Sequence, residues 1–182
     1  MPCKVEIINI ALARLGESPI QSPEEDSVPA ITAKTVYDAA RRATLRDYNW
    51  NFALASAQLA QYGEPAHGFR FAFAMPADCL RAVRLIHGER FAVRSGCLLA
   101  NAPKAVLEYV RDVTDESEFD DKFVEAFSYK LASELAMPVK GSAELMASYS
   151  NAYQTLVNRA ATETAWEQRD FHSANPYLEA RD

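Results

Sequence analysis

The hydrophobic period changes twice along this chain, and no single fold layer satisfies both periods. From Lys4 to Leu15 the apolar residues Val5, Ile8, Leu12 and Leu15 recur at helical spacing, with Gly16 placed to end the helix. A second helical stretch carries Ala30, Ala33, Val36, Tyr37, Ala40 and Ala43 on one face, with Ser27 as its N-cap and Pro29 in its first turn. Between Gly68 and Val110 the period falls to two: Phe69, Phe71 and Phe73 alternate with Arg70, Ala72 and Ala74, as a half-buried strand requires. Further strand-like runs follow at 80–86, 89–94, 97–99 and 105–110, separated by Gly88, Gly96 and the Asn101 to Pro103 turn. The helical period then returns as Phe119, Phe123, Phe127, Leu131 and Leu135, spaced four apart, after the capping candidates Thr114 and Asp115. Pro138 to Gly141 breaks the pattern, and Leu145, Tyr149, Ala152 and Leu156 mark a last long helix.

These periods predict a mainly α fold: a helical bundle with a small inserted antiparallel β-sheet and an extended C-terminal tail. One domain is expected over 1–168, with helices at about 4–15, 28–48, 117–137 and 142–168 and a β insertion at about 68–111. The segment 169–182 is the tail, where Pro176 interrupts the chain and periodicity is lost while Phe171, Tyr177 and Leu178 remain apolar. The motif Tyr48-Asn-Trp-Asn-Phe52 sets large aromatics beside turn-forming asparagines, which reads as a core anchor.

Charge and cysteine content narrow the functions. A net charge of −6 offers no overall attraction for nucleic acid or an anionic membrane. Three separated cysteines, Cys3, Cys79 and Cys97, make neither a metal pair nor a complete disulfide framework, so reduced thiols are expected. There is no leader pattern and no apolar run of membrane-spanning length, so neither export by signal peptide nor anchoring is expected.

The search for catalytic chemistry finds little. His67, His87 and His172 lie far apart, and neither a phosphate-binding glycine loop nor a nucleophile elbow occurs. No catalytic residue, metal or cofactor is predicted, and the chain is read as a protein that is not an enzyme. The acidic run Asp115, Glu116, Glu118, Asp120, Asp121 has the chemistry for a glycosidase-type acid and base, with Glu116 and Glu118 the pair to test. Carboxylates at a helix N-terminus are more simply explained by the helix dipole. Arginines are more suggestive: Arg41, Arg42 and Arg46 share one or two helical turns, while Arg70, Arg81, Arg84, Arg90 and Arg94 stud the strand region. In a monomer these are solvated or paired. In a symmetric ring they face neighbouring subunits or a DNA channel, with subunit pairing the favoured reading and Arg41, Arg42, Arg81 and Arg84 the interface candidates.

Six stretches taken in order, Asn9-Ile-Ala-Leu-Ala-Arg-Leu-Gly16, Arg46-Asp-Tyr-Asn-Trp-Asn-Phe-Ala53, Met75-Pro-Ala-Asp-Cys-Leu-Arg81, Tyr109-Val-Arg-Asp-Val-Thr-Asp115, 119–137 and Tyr177-Leu-Glu-Ala-Arg181, resemble one family. It is the tail tubular protein A, or head-to-tail adaptor, family of short-tailed bacteriophages and prophages. The resemblance implies a dodecameric ring below the portal protein that closes the packaged head and seats the tail nozzle protein. It implies a virion location in the neck, host cytoplasm during assembly, and passive contact with DNA in the channel at most. By the same resemblance Phe171, Tyr177, Leu178 and Arg181 are the portal-binding candidates. Two other readings remain open: a phage-associated cell-wall hydrolase using a carboxylate pair, and a generic helical interaction module.

Overall fold

The computed structural model describes residues 2–65 and 68–169, with side chains through residue 162. Helix α1 spans Lys4–Arg14, α2 Val28–Asp47, α3 Asp121–Lys140 and α4 Ala143–Arg169. Six strands lie between α2 and α3: β1 Leu54–Leu59, β2 Phe71–Ala74, β3 Cys79–Leu85, β4 Phe91–Arg94, β5 Cys97–Ala100 and β6 Ala105–Arg111. They form two three-stranded antiparallel sheets, in the orders β1-β6-β3 and β2-β5-β4.

The fold is therefore α+β, which corrects the expectation of a mainly α bundle carrying one small sheet. The strand region has a hydrophobic core of its own, made of Leu59, Phe73, Leu85, Leu98, Ala100, Ala105, Leu107 and Tyr109, with no helical residue in it. An insertion draped on a bundle would not need one. The two sheets are also joined: past the end of β1, Gln61 bridges Phe73, Tyr62 N–H donates to Ala72 C=O, and Ala74 N–H donates to Ala60 C=O. That join wraps six strands round one interior.

The underestimate traces to β1. Leu54-Ala-Ser-Ala-Gln-Leu59 alternates only weakly because its middle residues are small, and it follows directly on the aromatic motif, so the β region begins at residue 54 rather than about 68. β6 serves both cores. Ala105, Leu107 and Tyr109 face the strand interior while Val110 packs with the helices. Its partner β3 carries two register shifts, between Cys79 and Arg81 and between Ala82 and Arg84. The extra residues, Leu80 and Val83, both turn to the helical core, while Ala82 and Leu85 turn to the other.

The helical core gathers the spaced aromatics. Phe119, Phe123 and Phe127 line α3 and its approach, Trp50 meets Phe123 edge-on with centroids 5.3 Å apart, and Tyr37 meets Phe127 at 5.0 Å. Each such pair adds about 0.5–1.5 kcal/mol beyond the area it buries. Trp50 Nε1–H donates to the Thr44 carbonyl at the end of α2, so the Tyr48–Phe52 turn is fixed by both packing and a hydrogen bond.

Helix ends follow local chemistry. Ser27 Oγ accepts from Ala30 N–H at the start of α2. A 3₁₀ turn over Glu116–Glu118 is capped by Asp115, and Asp120 then caps α3, so that helix starts at Asp121 rather than about 117. Pro138 does not end it. The helix continues to Lys140 and stops at Gly141, whose φ of 64° is the left-handed conformation a terminating glycine supplies without strain. α3 then packs along α4.

Candidate functional site

The interface arginines fall into three kinds of environment. Arg41 is buried, 4% exposed, and its Nη1 donates to Asp112 Oδ1 and to the Val113 carbonyl, both at 2.5 Å. Asp38 approaches its Nε at 3.5 Å from the previous turn of the helix. This guanidinium ties α2 to the chain leaving β6 and is fully engaged inside the subunit. Arg42, one residue on, lies on the surface, with its Nε 3.6 Å from the other oxygen of Asp112.

Arg84 is exposed and pairs with Glu108 across the β3–β6 ladder, at 2.5 Å. A cross-strand pair on a solvated face is worth a fraction of a kcal/mol to about 1 kcal/mol.

Arg81 differs. Its Nη2 donates to Asn49 Oδ1 at 2.5 Å, and its Nε is buried with no acceptor. Arg46, at the end of α2, donates through Nη1 to the carbonyl of Leu80, which sets it beside Arg81. Desolvation, and then the neighbouring positive charge of Arg46, pull the Arg81 guanidinium below its ordinary range, only partly opposed by Asp47. Asp47 also accepts from the Tyr153 hydroxyl, through Oδ2 at 2.6 Å. Arg46 belongs to the helical arginine cluster visible in the sequence. The sequence held no sign of Asn49 as a ligand, because a turn asparagine is explained by its backbone alone.

The acidic run is dispersed into structural roles. Asp115 accepts from Ser117 N–H, and this bonding holds its carboxyl below the usual range. Glu116 accepts from the Tyr37 hydroxyl at 3.3 Å, Glu118 pairs with Arg111, and Asp120 accepts from Phe123 N–H at 2.6 Å. A groove of about 270 Å³ lies beside this run, lined by Tyr48, Trp50, Asn51, Asp120, Asp121, Lys122 and Ala160. It falls below the roughly 300–1,000 Å³ typical of ligand sites, and Glu116 and Glu118, the proposed acid–base pair, do not line it.

Among the described residues, no three His, Cys, Asp or Glu side chains gather as metal ligands would. Cys3, Cys79 and Cys97 are free thiols, and burial and then Asp78 push the Cys79 thiol up. His67, His172 and the portal-binding candidates Phe171, Tyr177, Leu178 and Arg181 lie outside the described residues. Among those described, no helix is long and apolar enough to cross a membrane.

Four of the stretches that carry the family resemblance meet around these arginines. Arg46 touches Leu80, Arg81 touches Asn49, Arg111 donates to the Phe52 carbonyl, the Tyr109 hydroxyl donates to Asp78, and Asp112 N–H donates to the Asp78 carbonyl. The first three of these stretches to meet are 46–53, 75–81 and 109–115. Through Phe52 and Trp50, whose rings pack on Phe119 and Phe123, the fourth, 119–137, joins the same junction between helices and sheets. No protein-family model and no curated protein matches this chain.

Proposed function

We propose that this chain is a head-to-tail adaptor of a short-tailed phage. It assembles as a ring beneath the portal protein, closes the packaged head and seats the tail nozzle. Its action is assembly, not turnover. The observation that supports this reading is the convergence just described: segments scattered from residue 46 to 137 that resemble the adaptor family pack at one junction. The acidic run adds nothing to the hydrolase reading, because its carboxylates cap helices and pair within the chain.

The stoichiometry of twelve, the nozzle partner and the neck location rest on the family resemblance. So does the assignment of Phe171, Tyr177, Leu178 and Arg181 to the portal. Mixing the purified chain with the portal protein of the same phage tests the reading directly. Sedimentation and electron microscopy are expected to find a closed ring of this chain on one face of the portal. A chain ending at residue 169 should stay folded and lose portal binding. Absence of any complex at excess subunit would refute the adaptor assignment.

A further inference from the structure

We infer that the groove between the start of α3 and the last turns of α4 holds the chain's own Tyr177 and Leu178 in the free subunit, so that the portal protein has to draw the tail out in order to bind it. The gate rests on the adaptor reading above; the docking does not.

The groove is longer than the hollow beside the acidic run. A second hollow, of about 140 Å³, adjoins the first and shares Trp50, Lys122 and Ala160 with it. Buried Trp50 and Ala160 with half-buried Leu156 make its apolar part, and exposed Lys122, Glu125 and Arg159 make its rim. An apolar centre with a charged rim is the make-up of a polypeptide contact. Both hollows are small for a free ligand, and they suit side chains that enter singly from a chain lying along the groove.

The occupant follows from where the helices end. α3 has 20 residues and α4 has 27, and they join through Gly141 and Ser142 as an antiparallel hairpin, so α4 overruns the start of α3 by about seven residues. The groove lies at that overrun, lined by Asp120 to Lys122 on one side and by Ala160 on the other. From Ala160 the helix runs nine more residues to Arg169, about 13.5 Å at the helical rise. The tail, 170–182, lies outside the described residues, and its reach follows from its length. An extended residue spans at most about 3.3–3.6 Å. Phe171, two residues past the helix, falls short of the groove by that measure. Tyr177 and Leu178, eight and nine residues past it, reach about 26 Å or more, which covers the return and a turn. They are also the only large apolar residues of the tail beyond Phe171. A tether this short sets an effective concentration of about a millimolar, so a subunit's own tail fills the groove ahead of the tail of another copy in dilute solution.

Amide hydrogen exchange on the full chain, compared with the free peptide 170–182, tests the docking. The amides of Tyr177 to Glu179 should exchange at least about tenfold slower in the chain, whatever its concentration. Leu156→Gln should return them to the peptide's rate, whereas Phe171→Ala should not. Thermal melts check folding, and if Leu156→Gln unfolds, Tyr177→Ser/Leu178→Ser, which alters no helix, should give the peptide's rate instead. Peptide-rate exchange in the wild type, or slow exchange that survives these variants, overturns the inference and leaves the adaptor assignment standing. Slowing that grows with protein concentration gives the groove to a second copy's tail and overturns it as well. Portal titration tests the gate: a tail docked about ten to one weakens portal binding about tenfold, so Leu156→Gln should bind portal about tenfold tighter than the wild type. Equal affinity overturns the gate. Slow exchange in a chain that never captures portal overturns the adaptor assignment and leaves the docking standing.

Discussion

Replacing Asp112 with Ala should be among the most damaging single changes away from the apolar cores. The reason is Arg41. Its side chain is 4% exposed, and Asp112, 22% exposed, supplies its nearest negative charge at 2.5 Å. Removing one partner of a buried ion pair costs about 3–5 kcal/mol, since the remaining charge has neither water nor a counter-ion. The lower end applies here. Asp112 is partly solvated, Asp38 offers a second carboxylate at 3.5 Å, and the Val113 carbonyl still accepts a hydrogen bond. The weak contact to Arg42, itself 58% exposed, adds a few tenths of a kcal/mol at most. A loss of about 3 kcal/mol corresponds to a melting temperature lower by about 6–12 °C for a domain of this size.

Urea unfolding with linear extrapolation measures the loss, and a double-mutant cycle identifies its cause. Arg41→Met removes the stranded charge and keeps an apolar stem of similar length. Arg41→Met combined with Asp112→Ala should therefore be more stable than Asp112→Ala alone. The remaining cost, about 1 kcal/mol, is the hydrogen bond lost at the Val113 carbonyl. If Asp112→Ala costs under about 1 kcal/mol, or if the two losses simply add, Arg41 is not a buried charge dependent on this partner and the reasoning fails.

Trp50→Ala should cost about 3–5 kcal/mol and erase most near-ultraviolet ellipticity, because Trp50 is 2% exposed, packs on Tyr48 and Phe123, and donates to Thr44. The Tyr37 and Tyr153 hydroxyls are both held above the ordinary tyrosine range, first by burial and then by Glu116 and Asp47 respectively. A raised folded value means their contribution is fully present below the ordinary pKa of about 10 and is lost as pH climbs beyond it; alkaline unfolding followed at 295 nm should thus be delayed in Tyr37→Phe/Tyr153→Phe. At the two-residue turn between β4 and β5, Ser95 and Gly96 have φ of 50° and 77°. Gly96→Ala should destabilise by about 1 kcal/mol and Ser95→Asn stabilise by a few tenths, both read from urea midpoints.

What the sequence disclosed and what it hid divide along the range of the interactions. The α3 stripe of Phe119, Phe123 and Phe127 and the cap at Ser27 are legible because their signals sit within a few residues of their effects. Pro138 misled for the opposite reason. A proline three residues from a helix end forfeits one hydrogen bond in a turn that is ending anyway, so the helix ran on to the glycine. β1 was hidden because its identity as a strand comes from β6, about fifty residues away, and not from its own alanines and serine. Without β1, β6 has only β3 beside it, and the strand region reads as one small sheet rather than two three-stranded ones.

The site was less legible than the fold. The sequence offered eight arginines as a set, and nothing in their spacing separates Arg41, whose charge is spent inside the subunit, from Arg46, whose charge is not. They are five residues apart on one helix, yet the difference lies in what the strand region brings up to each: a carboxylate at Asp112, just past β6, for the first, and a carbonyl at Leu80 on β3 for the second. Breaking the first arrangement strands a buried charge, whereas breaking the second loses one hydrogen bond from an exposed side chain. Arg46 and Arg81 are likewise set by contacts from distant segments, the Leu80 carbonyl for one and the Asn49 amide oxygen for the other, and no local spacing announces either.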